Sequence, residues 1–187
     1  MIRSKSSRGF TLLELMITVV ILAILSVVAT VGYKGYVHKA RTTEAVSFLA
    51  TIKMKQVTYF QTYGQYVDTS TAESTFTDSD FYPSLSASGA NNDLQMNWGI
   101  ECPDDKSQYP GWCALGARPT GGKTYFHYVT VGWSPDDANP PAAYIKDNTK
   151  RWWYAEARAD QNQDGLHWST FILTSEIVEP WIFNESE

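Results

Sequence analysis

Glu14 is a lone carboxylate near the start of an apolar run that extends from Phe10 to Val31. An acid at the centre of a membrane-length helix costs about 2.5–3.5 kcal/mol by insertion scales, so it needs a partner. Ahead of the run lies the leader MIRSKSSRG, which carries Arg3, Lys5 and Arg8 and no acid. Cleavage after Gly9 would make Phe10 an amino-terminal ammonium, close enough to pair with Glu14 on the same helix or on a neighbour. Uncleaved, Glu14 lies near a helix start, where the helix dipole favours an acid and the side chain can reach the headgroups.

Other residue groups carry possible chemistry. Cys102 and Cys113 enclose ten residues, among them Pro103, Pro110 and Gly111. A bridge across so short a loop is worth roughly 2–3 kcal/mol, and it persists outside the cytoplasm, where two free thiols are the less expected state. Asp160, Asn162 and Asp164 place oxygen side chains at alternate positions ahead of Gly165, as the first half of a calcium loop does. The twelfth position is Phe171 rather than a closing acid, so the same residues read as a polar hairpin connection with Asp-Gly at its turn. Calcium is the one cofactor this pattern suggests. Residues 117–124 satisfy a relaxed phosphate-loop pattern, but a working loop of that kind opens a helix. The next residues, Tyr125–Val131, are β-branched and aromatic, so the match is a loop-to-strand turn. His38, His127 and His167 are scattered, without HExxH, CxxC or GxSxG nearby. They read as surface or strand-lining histidines. Trp152, Trp153 and Trp168 read as core and subunit-contact rings rather than a sugar platform. Adjacent strand residues face opposite ways, so at least one of Trp152 and Trp153 is expected at an exposed surface or interface.

The segment GFTLLELMITVVILAILSVVA, behind its basic leader, closely resembles the class III signal of type IV pilins and type II secretion pseudopilins. The resemblance covers about residues 8–36, including Tyr33 and Tyr36. It implies cleavage between Gly9 and Phe10 by a prepilin peptidase and N-methylation of Phe10. It implies that Glu14 pairs with the Phe10 amine of an adjacent subunit during assembly. The implied partners are identical or related pilin subunits, the peptidase and the inner-membrane assembly machinery. The implied location is the bacterial inner membrane as a precursor, then an extracellular pilus or a periplasmic pseudopilus. The implied function is that of a structural filament subunit serving adhesion or motility. A secretion pseudopilin is the alternative within the class, and a membrane-anchored binding protein or enzyme that keeps its leader is the alternative outside it. Val31 stands where many pilins have Pro and Ala23 where many have Gly, which removes two helix-softening residues. Gly32 and Gly35 remain as possible points of flexibility.

These residues need elements to hold them. About 22 apolar residues as helix span about 33 Å, matching a hydrocarbon core of roughly 30 Å. Basic residues flank both ends of the run, so the positive-inside rule barely orients it. Beyond Tyr36, the apolar positions Ala45, Leu49, Ile52, Val57 and Phe60 alternate with charged ones, which predicts an amphipathic continuation to about Tyr63-Gly64. The expected organisation is leader 1–9, membrane or filament-core half-helix 10–31, amphipathic half-helix 32–63, and a globular head 64–187. Residues 65–93 read as a long polar loop. Leu94–Ile100 alternates as a half-buried strand, followed by strands over Lys123–Trp133, Arg151–Ala157 and Leu166–Thr174, the last two joined across Asp164-Gly165. The expected class is α+β, a long amino-terminal helix covering one face of an antiparallel sheet. The net charge is −5 overall, and more acidic still without the leader, so no nucleic-acid partner is expected.

Overall fold

The computed structural model describes residues 9–71, 75–85, 95–102, 109–133, 143–162, 165 and 167–185. Two compact units emerge, residues 1–39 and residues 40–187. Helix α1, Leu12–Tyr63, contributes to both. In the first unit its large apolar side chains, from Leu12 to Val28, are exposed on all sides. The backbone stays helical through Gly32 and Gly35.

In the second unit the amphipathic stripe of α1 does its packing. Ala45, Phe48, Leu49, Ile52 and Gln56 are buried, a spacing of three and four residues that lies on one helix face. Val57, expected on that stripe, is exposed instead. It follows Gln56 directly and so turns about 100° away from the core. The helix ends where Gly64 takes a left-handed φ of 75° and its amide closes on the Phe60 carbonyl at 2.8 Å.

The helix covers one face of an antiparallel sheet whose order is β3 (His127–Gly132), β4 (Trp153–Ala159), β5 (Ser169–Thr174) and β6 (Trp181–Phe183). Tyr128, Trp153, Ala155, Ala157, Ala159, Phe171 and Leu173 share its core with the helix residues. Phe48 meets Tyr128 of β3 and Trp98 edge-on, ring centroids 4.6 and 5.2 Å apart, and each large apolar side chain buried here contributes about 1.5–3 kcal/mol. The opposite face is covered too. Val131, Ile145, Trp152 and Tyr154 form a second cluster with Phe76 and Tyr144 against it. The neighbouring tryptophans do point to opposite faces, but both are 1% exposed. The expectation of an exposed ring fails because each face of the sheet has its own cover.

The strand beginning at Leu94 is shorter than its alternation suggests. Only β1 (Met96–Asn97) pairs, with β2 (Lys123–Thr124), although Trp98 and Ile100 still reach the core. Leu94 lies outside the described residues. The expected strand over Lys123–Trp133 is broken into β2 and β3 at Tyr125 and Phe126. There the Tyr125 amide donates to Glu44 Oε1 on α1 at 3.0 Å, and the Phe126 amide to Thr124 Oγ1 at 3.0 Å. Side chains thus take two amides that a ladder would have used. Strand β6 and a short helix, α2 (Pro110–Leu115), add to the expected elements.

Gln56 ties the polar connection after α1 to the sheet. Its Nε2 donates to the Val67 carbonyl at 2.8 Å and to Thr130 Oγ1 at 2.9 Å, and its Oε1 accepts from the Val67 amide at 2.9 Å. The same connection crosses β3 at Gly132, where a Cβ would stand 2.5 Å from the Val67 carbonyl oxygen. Real Cβ atoms do not tolerate that approach to backbone. Gly132→Ala is therefore expected to destabilise the second unit by about 2–3 kcal/mol, read as a lower urea midpoint with unchanged slope.

Asp80 anchors the same region further on. It accepts from the amides and hydroxyls of both Thr71 and Thr77, all at 2.7–2.8 Å. Burial pushes its carboxyl upward, but the bonds from Thr77 and Thr71 outweigh it and hold the group below its ordinary range. A depressed carboxylate stabilises the fold above its unfolded pKa of about 3.9 and loses that contribution as the pH falls through the lower folded value. Asp80→Asn should flatten the loss of urea-unfolding stability below about pH 4 while lowering stability at neutral pH.

Candidate assembly site at the amino-terminal helix

The residues singled out at the start of the chain form one contiguous site. Gly9, Phe10 and Thr11 lie ahead of α1, outside regular structure, and Phe10 is 82% exposed. Thr11 and Glu14 cap the helix reciprocally. The Thr11 amide and hydroxyl donate to Glu14 Oε2 at 2.9 and 2.8 Å, and the Glu14 amide donates to Thr11 Oγ1 at 3.2 Å. This is a capping box, readable as Thr-x-x-Glu immediately before an apolar run. Thr11 is thus a member of the site that the spacing of Gly9, Phe10 and Glu14 does not reveal. Both bonds from Thr11 end on Oε2, so Oε1 has no partner among the described residues. Glu14 can hold the helix start and still accept from an ammonium.

The remainder of the segment is prepared for an apolar environment. Thr18, Ser26 and Thr30 donate their hydroxyls to the carbonyls of Leu15, Leu22 and Ser26 at 2.7–2.9 Å, which leaves no hydroxyl donor facing outward unused. The helix is long and apolar enough to cross a membrane. Between Thr11 and Thr30, then, the one group still offering a charge is Glu14.

A family description, the prokaryotic N-terminal methylation motif, matches residues 4–30. The segment that carries the capping box and Glu14 is the segment that this family shares. This amino-terminal segment is similar to that of the type IV pilins and fimbrial proteins. Fimbrial protein Q of Moraxella bovis is 44% identical over 45 residues, covering 24% of this chain and 29% of that relative. A fimbrial protein of Pseudomonas aeruginosa is 43% identical over 49 residues, 26% of this chain and 32% of its own. The type IV major pilin protein PilE1 of Neisseria gonorrhoeae is 34% identical over 65 residues, 35% of this chain and 39% of its own. The chain thus spans well under half the length of the curated relatives it matches. No solved structure matches it.

Candidate residues in the head of this pilin-like chain fall elsewhere. Cys102 and Cys113 are joined as a disulfide. Edge-on contact of Trp98 with Trp112 and a hydrogen bond from Arg118 to the Ile100 carbonyl hold the same two segments together. The bridge spans a sequence separation of 11, so the Cys102→Ser/Cys113→Ser pair should lose about 2–3 kcal/mol of stability. In a thermal melt that is a fall of about 4–12 °C. Asp160 is buried at the end of β4, and its Oδ2 accepts from the Gly165 amide at 2.9 Å. Gly165 has a φ of 69°, so the pair closes the β4–β5 connection as a turn. Asn162 is exposed and Asp164 lies outside the described residues. Among the described residues no group of three or more His, Cys, Asp or Glu could hold a metal. Gly121 and Gly122, both at positive φ, lead into β2 and not into a helix.

Proposed function

We propose that the chain is a structural subunit of a type IV pilus-like filament. Its precursor is held in the inner membrane by the apolar half of α1, cut between Gly9 and Phe10 by a prepilin peptidase, and methylated at Phe10. The mature subunit then packs its apolar helix against those of other subunits, with the head carried on the filament. Glu14 pairs with the Phe10 ammonium of a neighbour, which offsets the burial of both charges only once they meet. The protein is thus a substrate of the processing enzyme and not itself a catalyst.

The observation that carries this reading is the match of the methylation motif over the residues that set Glu14 at the head of an apolar, outward-facing helix. Packing energy for assembly comes from side chains that have no cover within one chain. Shearing intact cells and probing the released filaments with antibody to the head tests the proposal. Labelled filaments are the expected result, and a protein that stays wholly with the cells would overturn it.

A further inference from the structure

On the face of the sheet away from α1, a cavity of about 250 Å³ is lined by Asp78, Leu85, Arg158 and Trp168. Its walls are fixed from behind by groups with no evident part in filament assembly. Arg158 donates from Nε to Glu156, a carboxylate that is fully buried, and from Nη1 to Asp78 at 3.1 Å. Glu156 is held in turn by the Tyr144 hydroxyl at 3.2 Å. The guanidinium lies over the rings of Phe81 and Phe76, 4.8 and 5.5 Å from their centroids. Nη2 therefore remains as a donor with no partner among the described residues. On the other wall the half-buried Trp168 indole stands edge-to-face with the buried His127 ring, centroids 6.3 Å apart. His127 bonds through Nδ1 to the Pro83 carbonyl, in the loop that brings Leu85. Burial lowers the His127 pKa and favours the neutral ring.

Against the sequence expectation that Trp168 is a core or subunit-contact ring, its half-buried place in the cavity wall carries a different reading, and we infer that this cavity is a binding site for a neutral saccharide ring. The aromatic face of Trp168 attracts the partly positive C–H bonds of a pyranose. Arg158 Nη2 supplies a donor, and Asp78, its side chain 82% exposed, supplies an acceptor for neighbouring hydroxyls. An apolar wall with a few fixed polar groups is the usual make-up of a small-ligand site. Charge selects the ring. Arg158 already faces the carboxyls of Glu156, which burial pushes upward, and of exposed Asp78, so its charge is offset at the cavity and an anionic sugar gains little there. The inference stands whether or not the chain assembles into filaments.

The test uses the full chain in zwitterionic micelles free of sugar headgroups. Methyl β-glucoside, methyl β-galactoside and glucuronic acid are titrated while the Trp168 indole resonance is followed by NMR. At least one neutral glycoside should shift that resonance saturably, with a Kd on the order of 1 mM, and glucuronic acid should bind more weakly. Trp168→Ala and Asp78→Ala should each weaken saccharide saturation-transfer signals at least tenfold. Asp78 is a surface position, so its variant keeps the test decisive if Trp168→Ala disturbs the hairpin. No saturable shift with any probe, binding unchanged in Asp78→Ala, or tighter binding of glucuronic acid would each overturn the inference.

Discussion

Glu14→Ala is expected to leave the precursor fully cleaved and methylated while removing the subunit from filaments. The proposed cleavage junction, Gly9–Phe10, lies exposed ahead of the helix and apart from the Glu14 side chain's role in pairing. The loss falls on assembly. A subunit without its carboxylate would bury a neighbour's ammonium with nothing to pair it, a cost of about 3–5 kcal/mol. Incorporation should fall roughly a hundredfold or more. The capping box adds a second arm to the experiment. Thr11→Val removes the hydroxyl that caps the Glu14 amide and one of the two donors to Glu14 Oε2, costing about 0.5–2 kcal/mol at the helix start, but leaves the charge. Quantifying subunit in sheared filaments against cleaved subunit in the membrane should show a partial loss for Thr11→Val and a near-complete one for Glu14→Ala. Equal losses would mean that Glu14 acts through the helix start alone.

Gln56→Leu is expected to be the most damaging single change in the head. Leucine suits the apolar helix face, and by hydropathy the substitution looks benign. Gln56 is fully buried, however, and all three of its hydrogen bonds would go at once. The Val67 amide and carbonyl are backbone groups in a buried setting, and each costs about 1–3 kcal/mol when left unpaired. A total near 4 kcal/mol lowers the melting temperature by about 8–16 °C. The connection 65–71 should detach first, seen as faster hydrogen exchange there than in β4 and β5.

How far the fold is legible from residues alone differs along the chain, for physical reasons. The helix is readable to within a residue or two at each end, because an unbroken apolar segment, an amphipathic stripe and Gly64 are local signals. The β4–β5 hairpin is readable from Asp-Gly between two apolar runs, with strand ends shifted by two or three residues. Strand β2–β3 is not readable as two pieces, since its break at Tyr125 depends on Glu44, far off in sequence. The burial of both Trp152 and Trp153 is equally hidden. Strand parity says that adjacent rings face opposite ways, but only the tertiary arrangement supplies a cover for each side. At the assembly site, Gly9, Phe10 and Glu14 stand out by type and spacing. Thr11 escapes notice although its signal is local, because a threonine beside a charged residue in an apolar run is less conspicuous than the charge. The Arg158 cavity draws its walls from three separate stretches of chain, and no spacing rule could assemble it.

The central claim is that this chain enters a filament as a processed subunit whose new amino terminus complements Glu14. Mass spectrometry of the amino-terminal peptide, taken from sheared filaments, tests it most directly. The expected peptide begins at Phe10 and carries one added methyl group. A peptide that retains the leader through Gly9, or that begins beyond the apolar helix as secretory cleavage would leave it, would contradict the claim.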